Sequence, residues 1–191
     1  MRYRADSRGN LAVSFGASNN VSQVTVGSLA PDFTLLTDSD EEWRLSDHRE
    51  GVTVLLFYPQ NETLVCTKQM CSVRDNWENY LATNATIVGI SPATPGEHRE
   101  FSQQRRLPIP LLADPDRQIT KIYARHWLIP ISFTRAVVVI DAKGIVRNRD
   151  IMLRAFRPSD DQLITDIYTA RGDAFSEKYL QLRQRKSPFR I

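Results

Sequence analysis

The chain has 191 residues, 41% of them hydrophobic, which at roughly 150 residues per domain makes one domain with room for extensions. Its two cysteines exclude a disulfide framework and a cysteine-rich zinc site, and no apolar run approaches the ~20 residues of a membrane helix. The 25 Lys and Arg outnumber the 22 Asp and Glu only through the two ends, so the middle is mildly acidic and a nucleic-acid partner is not expected.

Residues 1–23 are rich in Ser, Asn, Gly and Ala and lack periodicity, so a flexible extension is expected there. Their basic start has no unbroken apolar core of ~7–15 residues; no secretory signal is read, and the cytoplasm is the expected compartment. FTLLT (33–37) reads as a strand, and EEWRLSDHREG (41–51) as a short strand and a turn. VTVLLFY (52–58) is a continuous β-branched and aromatic run, the mark of a strand buried on both faces of a central sheet. Val65, Met70, Val73, Trp77, Tyr80 and Leu81 recur at three- and four-residue steps and predict a helix over 64–82. ATIVGIS (85–91) is a second buried strand, 95–106 a polar helix with Pro95 near its first turn, and 111–113 a short strand. Residues 114–126 read as a helix, and 136–153 as a hairpin turning at 142–144. Residues 159–170 read as a helix with Ser159 as N-cap and acids in its first turn, and 174–185 as an amphipathic helix or a basic tail. The alternation predicts an α/β domain with a central mixed sheet over 24–170, followed by a basic C-terminal extension over 171–191.

Both cysteines lie in FYPQNETLVCTKQMCSVRD (57–75), where the buried strand gives way to the long helix. Cys66 falls in the first helical turn. Unpaired backbone N–H groups and the helix dipole stabilise a thiolate there, and such positions can lower a thiol from its ordinary pKa of about 8.5. The position fits a reactive thiol and equally a small buried cysteine without chemistry. The five-residue spacing to Cys71 adds a constraint. In an intact helix it separates the Cα atoms by ~8.7 Å and turns the side chains ~140° apart, whereas disulfides rarely span more than ~7 Å. A Cys66–Cys71 bond therefore needs local unwinding, which leaves open a disulfide formed only after Cys66 is oxidised. The spacing fits neither zinc ligation nor a CxxC redox motif.

Pro59, Thr63 and Cys66 match the pattern P-x-x-x-T-x-x-C, and the segment resembles the active-site stretch of peroxiredoxins, the alkyl hydroperoxide reductase/thiol-specific antioxidant superfamily. With Cys71 five residues on, it is similar to the PrxQ branch, also called bacterioferritin comigratory protein. VGSLAPDFTL (26–35) resembles that family's opening strand, and IVGISPATPGEHREF (87–101) and LPIPLLADPDRQITKIYA (107–124) its middle. RAVVVIDAKGIV (135–146) resembles its late hairpin, opening on an active-site arginine, here Arg135. The resemblance covers residues 24–170.

It implies a thioredoxin-like fold and a thiol-dependent peroxidase acting on hydrogen peroxide and organic hydroperoxides. Cys66 would be the peroxidatic cysteine, oxidised to a sulfenic acid. Cys71 would be the resolving cysteine, forming an intramolecular disulfide that thioredoxin or a similar dithiol reduces. Thr63 would hydrogen-bond the thiolate and the peroxide. Arg135 would lower the Cys66 pKa and steady charge on the leaving oxygen. Pro59 would shield the sulfur. The implied partners are a peroxide and a thioredoxin-like reductant, the implied assembly a monomer or homodimer, with no metal and no cofactor. Two rival readings are a thioredoxin-fold thiol-disulfide oxidoreductase, which the absent CxxC disfavours, and a non-enzymatic redox-sensing or binding protein on a peroxiredoxin scaffold.

Three departures from the branch pattern stand out. Leu64 and Val65 replace the usual Pro-Gly before the cysteine, making the mouth more apolar and favouring organic hydroperoxides. Gln69 replaces the usual Glu, removing a negative charge that would oppose the thiolate. YARHWLIP (123–130) lacks the Gly that commonly follows the Tyr. His48, His98 and His126 show no metal-ligand or triad spacing and are expected at the surface or in loops. Trp43, Trp77 and Trp127 are expected to pack.

Overall fold

The computed structural model describes residues 23–61, 64–153 and 159–172, the side chains of 64–67 apart. The extension expected over 1–23, save its last residue, Thr63, and the helix or tail expected over 174–185 lie outside the described residues.

Seven strands form one mixed sheet: β1 (Thr34–Thr37), β2 (Glu42–Arg44), β3 (Thr53–Phe57), β4 (Thr86–Ser91), β5 (Leu111–Ala113), β6 (Thr134–Ile140) and β7 (Val146–Leu153). They lie in the order β2-β1-β5-β4-β3-β6-β7. β3, β4 and β5 are mutually parallel and the remaining pairings are antiparallel. Every residue of β3 is buried, as its unbroken apolar run requires of a strand covered on both faces.

Residue alternation sends Val54 and Leu56 to one face and Leu55 and Phe57 to the other. On the first face lie α1 (Leu64–Asp75) through Met70 and Val73, α2 (Trp77–Leu81) through Tyr80, α3 (Pro95–Arg105) through Phe101, and α5 (Asp160–Arg171) through Leu163 and Ile167. On the second lie α4 (Gln118–Tyr123), through Ile119 and Tyr123, together with Phe33, just before β1, and Trp43 of β2. Each such fully buried Leu, Ile or Phe contributes about 1.5–3 kcal/mol. The expected α/β class and mixed sheet are borne out, as is Ser159 as the cap of α5, its hydroxyl accepting from the Gln162 N–H. The hairpin turn falls where expected. Gly144 has φ +78°, and an added Cβ would stand 3.2 Å from Arg49 and 3.3 Å from Leu29, so only glycine fits.

Five expectations change. The helix expected over 64–82 is broken at Asn76, whose side-chain N–H groups reach the Ser72 carbonyl at 3.0 Å and Asp160 at 3.1 Å. Leu81, expected on its buried stripe, is exposed. The helix expected over 114–126 shortens to six residues. Asp114 is the reason, since its carboxylate accepts from the Thr120 N–H at 2.8 Å and the Thr120 hydroxyl at 2.6 Å and so builds a turn first. The opening strand starts only at Thr34, with Leu29 making an isolated bridge to Ile145. Trp127 does not pack: it is 84% exposed.

Candidate active site

β3 ends at Phe57, and its chain turns through Tyr58, Pro59, Gln60 and Asn61 before α1 begins at Leu64. The turn sits at the carboxyl ends of the parallel strands β3, β4 and β5, the edge where open α/β sheets carry their sites. Cys66 is the third residue of α1. Its backbone N–H is among the first four of the helix, which have no partner within it. It stands four residues before Met70 and seven before Val73, both buried on the sheet, and so on the same row of the helix.

Arg135 arrives from another strand. Phe57 pairs with Ala136, so Arg135 lies one position beyond the last β3–β6 pair, beside the chain as it leaves for the turn. Alternation with Val137 and Val139 puts it on the α1 face of the sheet. It is 0% exposed, the largest fully buried side chain among the described residues. A guanidinium is almost never fully buried without a charge or hydrogen-bonding role. Register thus brings Arg135 and the Cys66 turn to one edge and one face, although 69 residues of sequence separate them.

The other residues singled out in the sequence are placed as follows. Pro59 is buried, and its carbonyl accepts from Arg117 Nη2 at 3.4 Å. Thr63 lies outside the described residues. Cys71 is a free, half-buried thiol in the same unbroken helix as Cys66, which keeps their Cα atoms at the ~8.7 Å of regular helix geometry. Gln69 is buried, and among the described residues none donates a hydrogen bond to its side-chain oxygen Oε1.

His98 corrects the expectation for the histidines. It is fully buried, with Nε2 3.2 Å from the Leu112 carbonyl oxygen and Nδ1 3.3 Å from the Tyr58 hydroxyl. Burial holds it below the ordinary histidine pKa, so it is neutral at pH 7. The available signal was Phe101, three residues on in an otherwise polar helix and buried on the same side. His48 is half-buried and stacks on Trp43 at 4.6 Å between ring centres. Arg117, which touches the site turn, carried no sequence signal.

A cleft of about 540 Å³ opens beside the turn, walled by Gln60, Asn61, Pro92, Ala93, Glu97 and Phe101. Another, of about 500 Å³, lies along the exposed stretch from Arg125 to Ile131 that leads into β6. Among the described residues no group of three His, Cys, Asp or Glu side chains is placed to hold a metal ion, and no helix is long and apolar enough to cross a membrane.

The chain is similar to known proteins both in sequence and in fold. The sequence profile of the AhpC/TSA family matches residues 26–149. The chain is 35% identical over 130 residues to the chloroplastic Peroxiredoxin Q of Triticum aestivum, covering 65% of this chain and 58% of that protein. It is 34% identical over 128 residues to Peroxiredoxin Bcp of Bacillus subtilis, covering 63% of this chain and 81% of that one. The chain thus spans about three fifths of the length of the plant relatives it matches. Among solved structures, the peroxidoxin BcpB of Mycobacterium tuberculosis superposes with a TM-score of 0.67 at 28% identity, covering 78% of this chain and 99% of the other. The thioredoxin-like fold expected from the sequence is therefore the observed one, and with a profile spanning well over half of its length the chain belongs to the AhpC/TSA family.

Proposed function

We propose that the chain is a thiol-dependent peroxidase in which Cys66 is the peroxidatic and Cys71 the resolving cysteine. The observation that carries this reading is that strand register brings the fully buried Arg135 to the same edge of β3 from which the chain leaves for the helix that carries Cys66 near its start. A buried positive charge and unpaired helix N–H groups favour thiolate over thiol.

The Cys66 thiolate attacks the distal oxygen of a hydroperoxide. An S–O bond forms, the O–O bond breaks, and sulfur loses two electrons to give the sulfenic acid. The leaving oxygen takes a proton and departs as water or an alcohol. Arg135 and the Cys66 backbone N–H stabilise the charge moving onto the peroxide, Thr63 orients it by hydrogen bonding, and Pro59 keeps bulk water off the sulfur. The Cys71 thiol then attacks the Cys66 sulfur, an S–S bond replaces the S–O bond, and water leaves. Thioredoxin or a similar dithiol reduces the disulfide by exchange. A cytoplasmic setting, where such dithiols are kept reduced, fits the cycle. Leu64 and Val65 favour organic over hydrogen peroxide as substrate. The domain responsible is residues 24–170.

The test uses the reduced protein, one equivalent of peroxide, intact mass and free thiols. Loss of two hydrogens with both thiols gone is expected, and Cys71→Ser stops after gaining one oxygen. A chain whose mass and thiols stay unchanged refutes the assignment. Insulin reduction without peroxide consumption would favour the thiol-disulfide oxidoreductase instead.

A further inference from the structure

Joining Cys66 to Cys71 requires the first turn of α1 to unwind, since both lie inside the unbroken helix. Among the described residues, that turn is flanked by a packed helix downstream and by a tethered chain upstream. Downstream, Gln69, Met70 and Val73 are buried. Upstream, Asn61 is tied across to the β4–α3 connection. Its Nδ2 donates to the Glu97 carbonyl oxygen at 3.3 Å and points to His98 Nδ1 at 3.5 Å, and its Oδ1 accepts from Ser91 Oγ at 3.5 Å.

His98 organises this tie. Its Nε2 faces the Leu112 carbonyl oxygen at 3.2 Å, and a carbonyl only accepts, so the ring proton sits on Nε2 and is donated there. Nδ1 then carries the lone pair, which accepts from the Tyr58 hydroxyl at 3.3 Å and faces the Asn61 amide. Ser91 Oγ lies 3.4 Å from Nε2. One neutral imidazole therefore links the carboxyl ends of β3 and β4, strand β5, and the segment entering α1. The helix that bears it does not need these bonds for its own start, because Thr94 and Glu97 close a capping box there.

We infer that His98, acting through Asn61, is a positioning residue that holds the entry to α1 in place and sets how readily oxidised Cys66 leaves the helix to meet Cys71. This rests on the thiol-peroxidase reading above. The sulfenic acid has two fates. Attack by Cys71 forms the S–S bond and releases water, whereas a second peroxide transfers another oxygen and gives a sulfinic acid. A firmer tie at Asn61 lengthens the life of the folded sulfenic acid and so exposes it to the second fate. A looser one speeds the first.

The experiment is a single turnover of the full chain with peroxide, quenched over time and read by intact mass. It separates oxygen gain at Cys66 from the later loss of two hydrogens relative to the reduced protein. Asn61→Ala is expected to speed disulfide formation about 2- to 10-fold, the range that one or two neutral hydrogen bonds support, and to lower the sulfinic fraction under excess peroxide. His98→Ala should do the same, the double variant no more than either single one, and His98→Gln, which keeps a donor and an acceptor, should restore the parent rate. Asn61 is only half-buried, so its variant folds whether or not His98→Ala does. An unchanged rate in Asn61→Ala, or fully additive effects, overturns the inference. A parent chain that gains no oxygen at all brings down the peroxidase reading, and this inference with it.

Discussion

Gln69 is a neutral side chain one turn along from Cys66, buried, with an acceptor oxygen that receives no hydrogen bond from the described residues. A carboxylate there would place a like charge beside the thiolate in a poorly solvated setting. Gln69→Glu is therefore expected to raise the Cys66 pKa by roughly one unit, read from the pH dependence of ultraviolet thiolate absorbance in a Cys71→Ser background. An unchanged or lowered value would sink this. His98 offers a second measurement. Burial lowers its pKa against the opposing pull of the Leu112 carbonyl, Asp38, the Ser91 contact and Glu97, and its other neighbours, Tyr58 and Asn61, are neutral donors. The unfolded chain takes up this proton near pH 6.5 while the folded chain resists it. The stability His98 contributes is thus complete above about pH 6.5 and is lost as the pH falls toward its folded value. The urea midpoint should drop as the pH falls below about 6.5, and His98→Gln should flatten that part of the profile. An identical slope in both proteins would show that other groups cause the drop. Both residues lie near the site, yet only Gln69 was legible beforehand, because its meaning comes from its offset to Cys66. That of His98 comes from β3, β4 and β5 converging on it, which no local pattern encodes.

At the scale of elements, one carboxylate joins three helices. Asp160, the first residue of α5, accepts from the Tyr80 hydroxyl of α2 at 2.7 Å, from Asn76 Nδ2 at the helix break at 3.1 Å, and from the Ser72 hydroxyl of α1. Its place at a helix N-terminus favours the negative charge. Asp160→Ala strands a buried tyrosine hydroxyl and unfastens the break, and is expected to lower the unfolding free energy by about 2–4 kcal/mol. Urea denaturation measures it, and a change below about 0.5 kcal/mol would refute the joint as described. The same joint explains an element misread from sequence. Apolar spacing runs straight through Asn76, so 64–82 reads as one helix, and what breaks it is a partner 84 residues away. Residues 114–126 mislead in the same manner, since Asp114 shapes its turn through Thr120 while the apolar steps still look helical. The strands at 52–58, 85–91 and 136–140 were legible because burial on the sheet leaves β-branched apolar runs. The Cys66 turn was legible because its residues lie within one short stretch. That Arg135 belongs to the same edge could be expected only through the family resemblance, and the Phe57–Ala136 register is what brings it beside the end of β3.

For the whole molecule the question is how far oxidation spreads. The proposed disulfide would demand a rearrangement of α1, and a helix that unwound completely would release Met70 and Val73 from the sheet and disturb the core they share with Leu56, Tyr80 and Ile167. The molecule is built against that. Met70 and Val73 are 0% and 1% exposed, and the Asp160 joint fixes the end of α1 to α5. Upstream, Tyr58 and Asn61 are held by His98. Between these ties lies a short segment, 62–68, and it contains Cys66. Shifting one turn of helix there suffices, because the excess of ~8.7 Å over a bondable ~6 Å is small. Hydrogen exchange on peroxide-oxidised chain, compared with reduced chain, should therefore show faster exchange in 64–69 alone. Trp77–Leu81, Thr134–Ile140 and Asp160–Arg171 should keep their protection. Loss of protection spreading into α2 or α5 would mean that the joint opens in each catalytic cycle and that the sheet face, rather than the first turn, is the moving part.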